Sequence, residues 1–333
     1  MSKIVKIAVD AMGGSNSPDK VIDGIIHHNK NSKDVFYKIF GDKNKIFKIA
    51  KEIKSDHYEI IHTDEKIEDT DTPLGAAKKG KKTSMWLAIE SVKEKNCDIV
   101  ISAGNTGALF VIAKLNLKMI QNIDKPALSA LWPNKKGMSV VLDLGANIDC
   151  SDKNLADFSI MGASLFKSLF PDQTPKVALL NIGSEEIKGN EIIKSTYQKL
   201  NSKKNNLYDF MGYIEGDQLM NGDVNVIVAD GFTGNVALKT AEGTANFITN
   251  ELKSALTGSF AGKISSFLNK KNLIKFKERL DPRLYNGAIF IGLDSPVIKS
   301  HGSTDYLGFS NSLSVCEKII KGNLIEKISN NIN

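Results

Sequence analysis

The chain has 333 residues, 41% of them hydrophobic and 25% charged, a balance that fits one large α/β unit and excludes a disordered polymer. Its net charge of +6 rests almost wholly on lysine, because Arg279 and Arg283 are the only arginines. That scarcity of forked guanidinium groups argues against sequence reading of nucleic acid, so no nucleic-acid partner is expected. A mild positive surplus suits an acidic protein or an anionic membrane surface instead. No apolar run reaches the roughly 18 residues of a membrane span. The N-terminus lacks a signal-peptide pattern, and Cys97, Cys150 and Cys316 are scattered without metal-ligand spacing. A cytoplasmic protein without a metal is expected.

In chain order, one unit recurs: a short β-branched run, a Gly/Asn-rich loop, then an amphipathic stretch. Residues 6–10 lead into Gly13 and Gly14, and residues 98–102 into Gly104, Asn105, Thr106 and Gly107. Residues 139–143 lead into Gly145 and Asn147, residues 176–180 into Asn181 and Gly183, and residues 224–228 into Asp230, Gly231, Gly234 and Asn235. Continuous apolar strands alternating with helices predict a mainly parallel sheet covered on both faces. Loops at the carboxyl ends of such strands form the ligand crevice. All five polar loops are therefore expected on one rim, meeting in one anion-holding pocket. A single domain over residues 1–333 is expected, because the most loop-like break, residues 201–208, is short.

Residues 244–276 read as helix without an intervening strand. Leu256, Phe260, Ile264, Phe267 and Leu268 fall at helical spacing, with Lys263, Lys270, Lys271 and Lys275 nearby, while Gly258 and Gly262 mark a break. Such an element packs on the core or on a second subunit, or it rests on a membrane surface.

No loop carries the Gly-Lys-Ser/Thr ending of a nucleotide-binding phosphate loop, and none matches Gly-x-Gly-x-x-Gly. Taken singly, each Gly/Asn loop reads as a tight turn. Together they suit a small anion, since glycine lets backbone N–H groups and helix N-termini approach it. The candidate phosphate-binding residues are Asp10, Gly13, Gly14, Gly104, Asn105, Thr106, Gly107, Asn147 and Lys239. Lys188, with Glu185 and Glu186, belongs either to a helix start whose acids complement the dipole or to the crevice, where it neutralises phosphate or an oxyanion. Asp230 and Asn235 likewise read as helix cap or as acid and amide of a site. His301 stands beside a glycine and near Lys299, a cation that lowers its pKa. His27, His28, His57 and His62 are expected at exposed positions. Cys150 has no neighbouring histidine and is not expected to act as a nucleophile.

The ordered blocks 9–14, 101–109, 142–147, 180–183, 230–239 and 285–302 resemble signatures of the bacterial phosphate acyltransferase (PlsX) family over nearly the whole chain. The resemblance implies a Rossmann-like α/β/α sandwich, related to isocitrate dehydrogenase and phosphotransacetylase folds, usually homodimeric, with a helical projection at residues 244–283. It implies transfer of a fatty acyl group from acyl carrier protein to inorganic phosphate, without a cofactor. The acyl phosphate product then feeds a glycerol-3-phosphate acyltransferase in phospholipid synthesis. Peripheral membrane contact through residues 254–276 follows from the same resemblance. The chain departs from the family at Ser15, Asn16 and Ser17 of the first loop, and at Lys78 and Lys125, where arginine is usual.

Phosphate is itself the nucleophile in that reaction, so the expected duties are holding, desolvating and aiming it. Lys188 or Lys239 would position it, one of Asn105, Asn147 and Asn235 would donate to the oxyanion, and His301 would assist phosphate deprotonation. Catalytic roles are accordingly assigned to Lys188, Asn235, Asp230 and His301. Two other readings are a phosphotransacetylase-like transfer from acyl-coenzyme A and a noncatalytic scaffold for acyl carrier protein at the membrane.

Overall fold

The first strand, β1 (Val5–Asp10), is apolar on both faces, with Val5, Ile7, Ala8 and Val9 at most 1% exposed. A strand covered by helices on each side must be so. The computed structural model describes residues 4–50, 52–202 and 205–332. The chain continues through α1 (Asp19–Asn31), β2 (Val35–Gly41), α2 (Lys43–Ala50), β3 (Tyr58–His62), α3 (Pro73–Lys79), α4 (Ser84–Lys93), β4 (Ile99–Ser102) and α5 (Thr106–Asn116). Next come β5 (Ala127–Asn134), β6 (Gly137–Leu142), α6 (Asp152–Leu169), β7 (Lys176–Leu180), α7 (Glu191–Ser202), β8 (Asp209–Ile214) and β9 (Val226–Val228). The last part holds α8 (Gly231–Thr257), α9 (Phe260–Leu268), α10 (Lys270–Arg279), β10 (Ala288–Ile291), β11 (Val297–Lys299), α11 (Tyr306–Lys321) and α12 (Leu324–Asn331).

All of these strands join one sheet in the order β3-β2-β1-β4-β11-β10-β5-β6-β9-β7-β8. Alternate residues feed opposite faces. Ile99 and Ile101 pack with Val21 and Ile25 of α1 and Phe309 of α11, whereas Val100 packs with Ile89 of α4 and Leu109 of α5. In the other half, Val141, Ala178 and Ile227 face the early turns of α8 through Ala237, Leu238 and Ala241.

The sheet is mostly parallel, as the sequence pattern predicts, but its middle is not. Three antiparallel pairings follow one another, β11 with β10, β10 with β5, and β5 with β6. Three reversals leave β6, β9, β7 and β8 running opposite to β1, β4 and β11. Loops after β1 and β4 therefore leave one edge of the sheet, and loops after β6, β7 and β9 leave the other. The shared rim expected from the sequence is not formed, because a buried apolar strand reads the same in either direction. The two edges are close at this waist. Ser102 pairs with Lys299, while Val100 pairs with Val297, Phe290 with both Val297 and Leu128, and the Leu128 N–H donates to Asp143 (3.0 Å). The two loop sets are thus offset by two residues, about 7 Å along the strands.

Beyond its first turns α8 leaves the body of the protein; Gly231 and Gly234 are its only buried residues, and α9 has none. Packing of the 244–276 stretch on the core, one of the sequence readings, is thereby excluded for α9. Gly258 caps α8 and Ser259 starts α9 by accepting from the Gly262 N–H, so the break falls where the glycines lie. Among the described residues no helix is long and apolar enough to cross a membrane.

His28 corrects a second expectation: it is 3% exposed, on the inner face of α1. Its Nδ1 meets Tyr37 Oη at 2.7 Å and its Nε2 lies 3.4 Å from Glu317. Burial lowers its pKa to about 4 in spite of Glu317. The unfolded chain takes up this proton near pH ~6.5, so between there and pH about 4 the unfolded state binds more protons. Stability therefore falls as pH drops through that window and His28 adds nothing further below it. His28→Gln should reduce the slope of unfolding free energy against pH there by up to about 1.4 kcal/mol per pH unit, read by urea titration at several pH values. An unchanged slope would show that the imidazole is not the group being charged.

Candidate functional site

Two clusters of strand-end loops flank the waist. In the first, Asp10 ends β1 and is 1% exposed. Its carboxylate accepts from Ser84 Oγ (2.7 Å), Ser102 Oγ (2.6 Å) and the Met12 N–H (3.2 Å). Burial raises its pKa against the pull of those donors. The loops it organises touch backbone to backbone: a Cβ on Gly13 would lie 2.5 Å from the Gly104 nitrogen. The loop after β11 joins them, with the Ser15 N–H donating to the Gly302 carbonyl (3.0 Å) and the Ser300 N–H to that of Ser102 (2.9 Å).

Asn105 caps α5. Its Oδ1 accepts from the Ala108 N–H (3.0 Å), and its amide donates to the Asp69 and Asp71 carbonyls (3.0 Å each). That side chain is spent on structure and has no donor left for an oxyanion. Thr106 and Gly107 form the first turn of α5, with Gly107 packed near Pro73.

In the second cluster, Asp143 follows β6 fully buried and accepts from the N–H groups of Leu128, Gly145, Ala146 and Asn147 and from the Asn147 amide, at 2.8–3.2 Å. The second Asn147 amide proton goes to the Pro126 carbonyl (2.7 Å). Asn147 is therefore a brace, and it too lacks a free donor. Asp230 caps α8 by accepting from Thr233 N–H and Oγ1 (2.8 Å each), the structural alternative raised for it from sequence. Asn235, one turn further, is exposed beside Gly145, and its amide has no hydrogen-bond partner within the described protein. Of the three asparagines proposed as oxyanion donors, Asn235 alone remains available.

Lys188 lies in an irregular loop after β7, ahead of α7, so the helix-start reading of residues 183–189 is replaced by a loop. Its backbone is tied down, N–H to the Glu185 carbonyl and carbonyl to the Asn181 amide, while its side chain is exposed. Lys239 is engaged with Glu242 at 2.8 Å.

α8 links the two clusters. Asn235, Lys239 and Glu242 fall at i, i+4 and i+7, on one helix face. Glu242 and Lys239 lie close enough to His301 to act on its charge. His301 itself has a lowered pKa, first through desolvation and then through Lys299. Its Nδ1 accepts from the Ser303 N–H (3.3 Å) and contacts Ser303 Oγ (3.0 Å), which leaves the proton of the neutral ring on Nε2. The ring thus presents a donor, suited to hydrogen bonding an anion rather than to removing a proton. Cys150 is buried, and burial moves its thiol up to about 11, against a nucleophilic role.

Asp143, Ser84, Ser102, Lys20 and Lys299 were not singled out as site residues by sequence. Lys299 had a signal, its place two residues before His301; Lys20 had none among so many lysines.

An α/β sheet of this topology defines the class. The fold is that of the phosphotransacylases: solved phosphotransacetylases from Streptococcus pyogenes and Staphylococcus aureus superpose with TM-scores of 0.61 and 0.60, at 16% identity, over 98% and 95% of this chain and 95% and 94% of theirs. Residues 5–327 match the family described as fatty acid synthesis protein. A phosphate acyltransferase of Pelagibacter ubique is 76% identical over 100% of both chains, and one from Rhodospirillum rubrum is 42% identical over 100% of this chain and 95% of its own. The chain belongs to the phosphate acyltransferase family.

Close backbone approach in both clusters is testable by adding one methyl group. A Cβ on Gly234 would collide with the Asp143 carbonyl, and one on Gly13 with Gly104, whereas at Gly216 nothing lies within 4 Å. Gly13→Ala and Gly234→Ala should each cost about 1–3 kcal/mol of stability, and Gly216→Ala less than half as much. Equal losses in denaturant titration at all three positions would contradict the packing described.

Proposed function

We propose that this phosphate acyltransferase takes its fatty acyl group from acyl carrier protein and passes it to inorganic phosphate. A phosphate oxygen attacks the thioester carbonyl, the tetrahedral oxyanion collapses, and the carbon–sulfur bond breaks to release the carrier thiolate, which solvent protonates. The observation that carries the reading is the whole-length match to proteins named phosphate acyltransferase. The free Asn235 amide supports it: at the N-terminal end of α8 it is placed to donate to the oxyanion as charge develops. Lys188, with its unpaired side chain at the same sheet edge, is the second candidate for that charge. Asp230 holds the first turn of α8, and so acts by positioning Asn235. His301 Nε2 would donate to phosphate. No cofactor enters this chemistry.

α8 to α10 support two further parts of the reading. Phe247, Phe260, Phe267 and Leu268 are 66–80% exposed, a surface that a second copy of the chain or a membrane would cover. We assign the α8 stem to a homodimer contact, and residues 254–276, where lysines border the apolar side chains, to peripheral contact with anionic lipid. The product would be consumed by a glycerol-3-phosphate acyltransferase.

Purified protein should form acyl phosphate from acyl carrier protein and phosphate; phosphate-dependent consumption of acyl-coenzyme A alone would transfer the assignment to the other donor. A protein that bound the carrier but made no acyl phosphate would be a scaffold. Asn235→Ala and Lys188→Ala should each lower the rate by about 10²–10³, the usual loss for one oxyanion donor; near-normal rates in both would remove this site. In flotation with phosphatidylglycerol vesicles, Phe260→Ser/Phe267→Ser should lose the lipid-bound fraction. Equal flotation of wild type and variant would place lipid contact elsewhere.

A further inference from the structure

Two lysines are buried at the first loop cluster. Lys20 is 6% exposed in the first turn of α1, and Lys299 is 9% exposed at the end of β11. A buried ammonium ordinarily sits against a carboxylate. Neither lysine has one within ion-pair distance among the described residues. Lys20 Nζ donates to the Gly302 carbonyl, and Lys299 Nζ to the carbonyls of Ala103 (3.2 Å) and Ser300. Each ammonium has three N–H donors, so two remain open on Lys20 and one on Lys299. Asp10, the buried acid at the same loops, is taken up by its own serine and backbone donors. Asp69 acts on both amines only from an exposed position, where solvent screens it.

The sheet order gives the amines their meaning. After β1 the chain turns to β2 on one side, with α1 on the face of Val21 and Ile25; after β4 it moves toward β5 on the other side, with α5 on the opposite face. The pair β1 and β4 is therefore a topological switch point, the place above the carboxyl ends of the strands where such sheets take ligands, here at the Gly13 and Gly104 turns. Lys20 reaches this point, with its Nζ 3.0 Å from the position a Cβ on Gly14 would take. Lys299 reaches it from the neighbouring strand. His301, presenting its Nε2 proton, is within electrostatic range of both.

We propose that Lys20 and Lys299 are the phosphate clamp, gripping a tetrahedral phosphate oxyanion above the carboxyl ends of β1 and β4 with their open N–H donors. The inference rests on the reading of phosphate as acyl acceptor and says where that acceptor is held: at the loops after β1, β4 and β11, not at Lys188. The same anion chemistry could belong to the phosphodiester of the carrier's prosthetic arm, and separate Michaelis constants distinguish the two.

Lys20→Gln and Lys299→Gln keep a donor for the carbonyls and remove the charge. Each should raise the Kd for inorganic phosphate, measured by calorimetry, and the KM for phosphate by about tenfold or more, leaving the KM for the acyl donor within about twofold. A raised donor KM with phosphate binding intact would give the amines to the prosthetic arm and overturn the proposal. Unchanged constants for both substrates would also overturn it. The wild-type protein supplies an arm that does not depend on the variants folding. Burial and Lys20 lower the Lys299 pKa to about 8, with Asp69 and Asp10 opposing. Phosphate affinity should therefore decline as pH rises above about 8, where phosphate stays dianionic, and Lys299→Arg should flatten the decline; a flat wild-type profile contradicts the clamp. Phosphate bound in this way without acyl phosphate formation would sink the functional reading alone, whereas acyl phosphate formed with a phosphate KM indifferent to both lysines would sink the clamp alone.

Discussion

Strand direction reverses three times between β11 and β6, and the geometry of every candidate group follows from it. Had β6, β9 and β7 run with β4, their loops would have lined up beside Gly13 and Gly104 on a common rim. The reversal sends them off the other edge, and a long helix, α8, then brings chemistry back toward the first edge. Asn235, Lys239 and Glu242 make up the face that returns. On the function proposed above, the acyl donor and the phosphate would meet beside this helix.

Within each half the same device fixes the loops. An aspartate stands at or just past the end of a strand, Asp10 or Asp143, and its buried carboxylate gathers donors from the following loop and from neighbouring segments. A buried acid that is fully hydrogen-bonded specifies one loop conformation, since losing any partner leaves a desolvated polar group. Rigid loops matter here because the reaction needs phosphate aimed rather than activated by a strong acid or base. The same device withdraws residues from chemistry. Asn105, Asn147 and Asp230 look like site residues in a sequence, and each is occupied in holding a loop or starting a helix.

Five strands, the alternation with helices and the helical stretch after residue 244 were legible because continuous burial leaves a long apolar signature. Direction was not, because Val140 and Leu142 would be equally buried in a parallel or an antiparallel neighbour. Of the strands that carry the reversals, β10 spans four residues, too short for a period to register, and β5, though eight residues long, is broken in its apolar run by Pro133. Among the candidate groups, Asn235 and His301 could be named from local motifs. Lys20 could not: its partner carbonyl is Gly302, 282 residues away, and a lysine in a lysine-rich chain carries no mark of burial. His28 misled for the same reason, a polar neighbourhood in sequence standing for a buried face in space.

A crystal of the protein soaked with tungstate, a tetrahedral dianion whose anomalous scattering marks its position, tests the arrangement most directly. The account predicts a peak above the carboxyl ends of β1 and β4, within hydrogen-bond reach of Lys20 and Lys299. A peak beside Lys188, with none at the two buried lysines, would contradict it.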